Sequence, residues 1–206
     1  MIKPDMTHVK TLEEFYKEIC KQQSDAHGEE YIAHHKALIK CVQDPAVNMV
    51  KELGVCQGGT LAAMMLQNPF QLKGYDIFPA YYEPYAHLFE EYAKKQGIVY
   101  NYYEKSSTDP VSANISVCNC DLLHIDSLHD PDHLMEELQM HAKFVSKYIV
   151  FHDTANFRNS AGLFKVIAEY ITEPEVIGKG VWTFKKEIIF DSSSTLLNHK
   201  SVALEL

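Results

Sequence analysis

The sequence predicts an α/β domain built on a mainly parallel sheet. Three observations predict it. Short apolar runs alternate with amphipathic segments from residue 47 onward, glycine or proline punctuates most joints, and carboxylates or histidine stand where the apolar runs end. Strands separated by helices make βαβ units, and their right-handed crossovers lay the strands parallel. In such a sheet a ligand lies at the carboxyl ends of the strands.

Each element rests on local signals. Residues 1–10 read as an irregular lead. Thr11, with Glu14 three residues on, makes a capping-box pattern for a helix whose apolar positions are Leu12, Phe15, Tyr16 and Ile19. Gly28 punctuates, and Glu29 to Gln43 reads as a second helix ended by Pro45. His34 and His35 lie in it. Neighbours on a helix point about 100° apart, which makes a poor metal pair and favours solvated side chains. Val47 begins a first strand that turns at Gly54 and Gly58 into a helix running through Leu66 and broken by Asn68-Pro69. Gln71 to Ile77 is a second strand. Pro84 opens a helix that stops at Gly97, and Ile98 to Tyr103 is a third strand. Asp109-Pro110 starts a short helix. Asp121 to Asp126 is a fourth strand, after which Asp130 caps a helix with Pro131 at its first position, running to about Phe144. Tyr148 to Phe151 is a fifth strand, and Ser160 to Ile171 a helix. Glu175 to Ile177 and Val181 to Phe184 read as the last strands, joined by a Gly178/Gly180 turn. The segment from Asp191 is serine-rich, then mildly apolar, and is assigned no element.

Composition narrows the class. The chain has 206 residues, 46% of them hydrophobic, enough for one domain with a sizeable core. A formal charge of −9 with no basic run argues against nucleic acid as a partner. No apolar stretch reaches membrane-spanning length and residues 1–10 are polar, so no membrane association and a cytoplasmic location are expected. The 5 cysteines lack a disulfide-rich spacing, which fits a reducing setting. Cys118 and Cys120 form C-x-C without the second pair a zinc site needs, so they read as packed thiols. A homo-oligomer is compatible with the sequence.

The stretch Val47 to Thr60 organises the rest. A strand turning sharply into a helix presents helix amides at the sheet's carboxyl edge, and Gly54 and Gly58 let the backbone bend and a ligand approach. A dinucleotide would want G-x-G-x-x-G. Here the pattern is Gly54-x-Cys56-x-x-Gly59, and the middle glycine is missing. Glu52 beside the turn suits a cationic ligand better than a pyrophosphate. Asp76, ending the second strand, can accept both ribose hydroxyls of an adenosine moiety in either ligand class. A turn without any ligand is the bland alternative.

A second constellation carries more. Asp121-Leu-Leu-His-Ile-Asp126-Ser-Leu-His129 precedes a helix with Leu134, Glu137 and Leu138, and then come Tyr148-Ile-Val-Phe-His152-Asp153-Thr154. Together with Glu52-x-Gly54-x-x-x-Gly58, this resembles the class I methyltransferases that use S-adenosylmethionine. It looks like the subgroup that includes the macrocin and mycinamicin O-methyltransferases and the cephalosporin hydroxylase/rhamnosyl O-methyltransferase group. It covers about Val47 to Lys185. The resemblance implies a doubly wound, Rossmann-like sheet of seven strands with an antiparallel final strand. It also implies an N-terminal helical extension (1–45), a methyltransferase core (46–190) and a C-terminal tail (191–206).

The resemblance further implies roles. Glu52, Gly54, Gly58, Gly59, Thr60, Asp76 and Asp126 would bind the methyl donor, with Ser107, beside Ser106, near the adenine. Magnesium would be held by Asp126 and by the pair His152 and Asp153, where relatives carry two carboxylates. His152 breaks that pattern: magnesium prefers oxygen ligands, and an imidazole admits another divalent metal or none. His129 would be the general base, and Asp126 its catalytic partner. An alcohol becomes a good nucleophile as its proton leaves, and a nearby imidazole can take it. His124 reads as structural, and His133 and His141 as solvated. Tyr81, Tyr82 and Tyr85 could wall the pocket, although aromatic residues by a loop more often pack. The expected function is O-methylation of a small-molecule hydroxyl on a sugar or natural product. A nicotinamide-dependent oxidoreductase, a non-catalytic donor-binding module, and a transferase or lyase using the same donor otherwise stay open.

Overall fold

The computed structural model describes residues 6, 8–27, 32–110, 119–152, 188–190 and 202–205. Seven strands make one sheet: β1 (Met49–Leu53), β2 (Gln71–Asp76), β3 (Val99–Glu104), β4 (Cys120–Ile125), β5 (Val145–Phe151), β6 (Ile188–Phe190) and β7 (Val202–Glu205). Their order is β3-β2-β1-β4-β5-β7-β6. β1 to β5 run parallel, and β7 is antiparallel to both β5 and β6. The order reverses between β1 and β4, and the crevice at that switch point is where an open α/β sheet takes its ligand.

Helices cover both faces. On one lie α1 (Leu12–His27), α2 (Ala33–Val42), α3 (Gly59–Met65) and α4 (Ala86–Gln96), whose apolar faces share a core with Val50, Leu72, Leu122 and Val150. On the other, α5 (Pro131–His141) packs Leu134 and Leu138 against Leu53, Leu123, Ile149 and Phe151. The alternation of side chains along each strand divides these two sets. Three charged or polar strand residues, Lys51, Glu52 and His124, are fully buried as well. Buried polar groups of this kind need partners. Lys51 sits 5.8 Å from the centre of the Tyr75 ring.

The N-terminal helices are part of this core. Phe15 is fully buried between Tyr85 and Phe89, at 5.1 and 5.5 Å between ring centres. Truncating such a side chain costs about 3–5 kcal/mol. A Cβ added at Gly59 would stand 2.9 Å from Ile19 Cγ2, so glycine lets α1 lie directly on α3.

Most expected elements are present, with shifted ends. Thr11 Oγ1 accepts from Glu14 N at 3.2 Å, while Glu14 reaches back to Lys10 N at 2.8 Å, one residue before the capping-box position. Gly97 ends α4 with φ +74°. Asp130 caps α5 through Asp132 N and His133 N, and the helix gives way to a 3-10 turn over Ala142–Phe144. Cys120 is buried in β4, and Cys118 lies outside the described residues. So do the start of the second expected helix, the short helix beyond Pro110, the helix at 160–171 and the strands at 175–177 and 181–184. The C-terminal segment left without an element supplies β7, which hydrogen-bonds to β5. Among the described residues no helix is long and apolar enough to cross a membrane.

Candidate functional site

The ladder of the sheet continues one residue past the strand ends. Gly54 N donates to Tyr75 O at 2.9 Å, Asp126 N to Leu53 O at 2.8 Å, and His152 N to Ile125 O at 3.0 Å. These bonds fix the tips of β2, β1, β4 and β5 side by side. Gly54 has φ +88°, and a Cβ there would stand 2.0 Å from the carbonyl oxygen of Asp126. Only glycine fits that backbone contact. The turn then passes Cys56, whose φ of +50° lies in the left-handed region that disfavours side chains. Asp76 holds it there: Oδ2 accepts from Cys56 N at 2.6 Å, and Oδ1 from Phe78 N at 2.7 Å. Gly58, with φ +87°, starts α3 and faces inward, 2.9 Å from Phe89 through a hypothetical Cβ.

Glu52 sits one layer down. It is fully buried, accepts a hydrogen bond from Thr60 Oγ1, and has Oε1 2.9 Å from His124 Nδ1. Strand alternation explains this, because Glu52 shares the inward face of Val50. Burial pushes its carboxyl up, against the lowering effect of His124 and Thr60. Glu52 therefore ties the glycine turn and the start of α3 to β4 from beneath. His124 plays the structural part expected of it.

At the tips of β4 and β5 three polar side chains converge. Asp126 Oδ1 lies 3.0 Å from His152 Nδ1 and 3.5 Å from His129 Nε2. Burial works against the charge of Asp126, yet the two imidazoles outweigh it and hold the carboxyl below its usual range. The ring of His34, from α2, packs on His152 at 4.4 Å between centres, and His35 meets His34 edge-on at 4.3 Å. The solvated placement expected of these two histidines is wrong: His35 is buried and His34 half-buried, because α2 lies along α3 and turns this part of its surface toward the crevice. Burial, with help from neighbouring imidazoles, lowers His34 to about 2 and His35 to about 4. Both are neutral near pH 7.

The third wall follows β3. Ser107 is buried, its Oγ 3.1 Å from His133 Nε2, and its carbonyl accepts from His141 Nε2 at 2.6 Å. His133 Nε2 also lies 3.3 Å from Glu137 Oε1, which accepts from Ser127 Oγ at 2.5 Å. The solvated positions expected of His133 and His141 are not found: His141 is fully buried and His133 partly so. Spacing of four places His133, Glu137 and His141 on one face of α5. That recurrence in sequence is the signal that marks them.

These parts enclose one cavity of about 610 Å³ at the carboxyl edge. Gly54, Gly59, Thr60 and Asp76 line one side of it, and Ser107, Asp126, His129 and His152 other parts. Glu52 and Gly58 are not in its wall. Asp153 lies outside the described residues. Tyr81, Tyr82 and Tyr85 are also absent from the wall, and Tyr82 packs in the core 4.3 Å from the Tyr102 ring. Ile77, Phe78 and Leu128 form an exposed apolar rim, at 60%, 66% and 64% exposure.

Neither a protein-family model nor a curated protein matches the sequence. Solved structures do match the fold. An SAH-bound methyltransferase from Podospora anserina is 11% identical, with 96% of this chain and 89% of that one covered at a TM-score of 0.60. The TDP-rhamnose 3'-O-methyltransferase of calicheamicin biosynthesis is 12% identical, covers 86% of this chain and 79% of its own, and has a TM-score of 0.58. The N-methyltransferase NodS from Bradyrhizobium japonicum is 13% identical, with coverage of 84% and 94% and a TM-score of 0.55. The seven-stranded order described above is thus the class I methyltransferase fold.

Proposed function

We propose that this protein is an S-adenosylmethionine-dependent methyltransferase acting on a hydroxyl of a small molecule, a sugar or natural product. One observation carries the reading: the glycine turn with Asp76, and the Asp126–His129 pair, face a single cavity across the switch point of the sheet. The fit to the donor rests on a glycine turn that lines the cavity and on a carboxylate already held at the tip of β2. A left-handed Cys56, carrying a side chain at the bend, suits an adenosyl sulfonium compound better than the pyrophosphate of a nicotinamide cofactor.

When bound, the sulfonium supplies a methyl carbon that bonds to the acceptor oxygen while the carbon–sulfur bond breaks and its electron pair stays on sulfur. The chain does the rest. Asp76 accepts from the ribose hydroxyls, and Ser107 borders the adenine. His129 takes the hydroxyl proton. Its Nε2 faces Asp126, so the proton arrives at Nδ1, and the carboxylate stabilises the imidazolium that forms. A base of this kind favours a hydroxyl over an amine acceptor, because a neutral amine brings its own lone pair. Holding nucleophile and methyl group in line supplies much of the rate.

The magnesium ion that the resemblance implies does not fit the described donors. Of the three groups implied for it, Asp126 and His152 are described and Asp153 lies outside the described residues. The described groups that converge are Asp126, His129 and His152, two of them imidazoles, whereas magnesium takes oxygen ligands. No step of the mechanism passes through it. The test is calorimetry with S-adenosylmethionine, followed by detection of S-adenosylhomocysteine with sugar and phenol acceptors. Absence of donor binding at millimolar ligand defeats the reading.

A further inference from the structure

The misfit with magnesium points to a different ion. We propose that Asp126, His129 and His152 form a binding site for a first-row transition-metal ion of the zinc type, and that its occupancy and proton abstraction by His129 exclude one another. The site itself stands on geometry alone. Only its effect on turnover rests on the proposed methyltransferase function.

One ligand atom from each of the three residues lies within 4.8 Å of the others. Asp126 Oδ1 is 3.0 Å from His152 Nδ1 and 3.5 Å from His129 Nε2. For metal–ligand bonds of about 2.1 Å, adjacent ligand atoms are about 3.0 Å apart in an octahedron and about 3.4 Å apart in a tetrahedron. The measured separations of 3.0 and 3.5 Å fall in the range of such ligand–ligand spacings, and the two imidazole nitrogens lie within 4.8 Å of one another. Two imidazoles and a carboxylate are a donor set for zinc, iron, cobalt or nickel, not for a hard cation.

The surroundings support the rings in place. His152 is held at its backbone by Ile125 O and at its ring face by His34. A recess of about 20 Å³, bounded also by Leu134 and Phe151, adjoins the three side chains. A space of that order holds roughly one water-sized body. The large cavity reaches the same side chains, so an ion could keep open positions toward a small molecule.

The exclusion follows from imidazole chemistry. A neutral ring has one nitrogen lone pair. With Nε2 on a metal, the ring proton sits on Nδ1, and no nitrogen is left to accept the acceptor's proton. Zinc would therefore suppress turnover, and a chelator would restore it.

The test uses the full chain. Co2+ is titrated in and followed by its ligand-field absorption, with Zn2+ and Mg2+ as competitors. One Co2+ should bind per chain and be displaced by Zn2+, while millimolar Mg2+ leaves the spectrum unchanged. His152→Ala and the better-tolerated His152→Gln should each weaken Co2+ binding by about 100-fold or more, since even outer-sphere changes cost 10–100-fold. Displacement by Mg2+ as readily as by Zn2+, or unchanged binding in both variants, overturns the site. The competition in the unsubstituted protein needs no variant to fold. Turnover separates the two claims: binding as described, with Zn2+ that does not inhibit, overturns the exclusion. A chain that binds Co2+ but never yields S-adenosylhomocysteine retains the metal site and loses the proposed function.

Discussion

On one side of the cleft, Gly54, Cys56 and Asp76 come from a single βαβ unit, and the contacts that shape them are made by backbone amides and one carboxylate. On the other, Asp126, His129, His152 and His34 come from β4, the loop after it, the end of β5 and α2. The first side is fixed by chain geometry, and the second by packing between distant segments. A wall built of backbone tolerates little change at its glycine and much at its neighbours. A site built of converging imidazoles depends on every element that delivers one.

The largest effect is expected where the two sides touch. Gly54→Ala puts a Cβ 2.0 Å from the Asp126 carbonyl in a left-handed backbone. The β1 turn or the β4 tip must move, so we expect a loss on the order of 4 kcal/mol or more in stability. Urea unfolding measures it. A loss below about 1 kcal/mol, too small for a left-handed Ala that also meets a carbonyl, would show that the two tips are not in backbone contact. Next, His129→Ala should lower kcat by about a thousandfold, in the usual range for a lost general base, and leave donor affinity nearly unchanged. Equal losses in kcat and donor binding would mean that the two halves do not divide the work.

The imidazoles also make the cleft sensitive to acid. Burial, then the nearby Lys51 charge, lowers His141 from 6.5 to about 4, against the raising effect of its bond to Ser107 O. Its folded pKa lies below the unfolded one, so as pH falls from 6.5 the unfolded chain takes the proton first. The stabilisation is complete above 6.5 and is lost as pH falls toward 4. At full size it is on the order of 3 kcal/mol. His35 and His34 act in the same direction on the opposite wall. His141→Gln can still donate to Ser107 but does not titrate. It should flatten the decline of stability between these two pH values, and a decline as steep as in the parent would assign the acid sensitivity to the other wall alone.

How much of this is legible in the sequence differs between the two sides. The glycine turn, Asp76 and the run ending at Asp126 are local patterns, and their positions follow once strands and helices alternate. Glu52 was legible as a neighbour of the turn but not as a buried strut, because its depth depends on which face of β1 it shares with Val50. His34 carries no local mark at all. Its place beside His152 comes from α2 packing along α3, a contact between segments with no common pattern. The last strand illustrates the same limit. Val202–Glu205 is too short and too mildly apolar to stand out, and only pairing with β5 and β6 makes it a strand.

The smallest effect is the one that isolates the wall proposed to bind the donor. Asp76 lines the cavity, and its two oxygens are held by Cys56 N and Phe78 N at 2.6 and 2.7 Å. A carboxylate so oriented can still accept through its remaining lone pairs. Hydrogen bonds to a charged group are worth about 1.5–3 kcal/mol, so Asp76→Ala should weaken S-adenosylmethionine binding by about ten- to a hundredfold. Some of that loss belongs to the Cys56 bend, which loses its anchor. Asp76→Asn, which keeps one acceptor oxygen, should recover part of the affinity. Neither change should alter kcat at saturating donor, since the proposed base His129 stands across the cleft in the loop after β4. Calorimetry and saturation kinetics read the two quantities separately. A fall in kcat with unchanged donor affinity would place the donor elsewhere, and would reverse the assignment of the two walls.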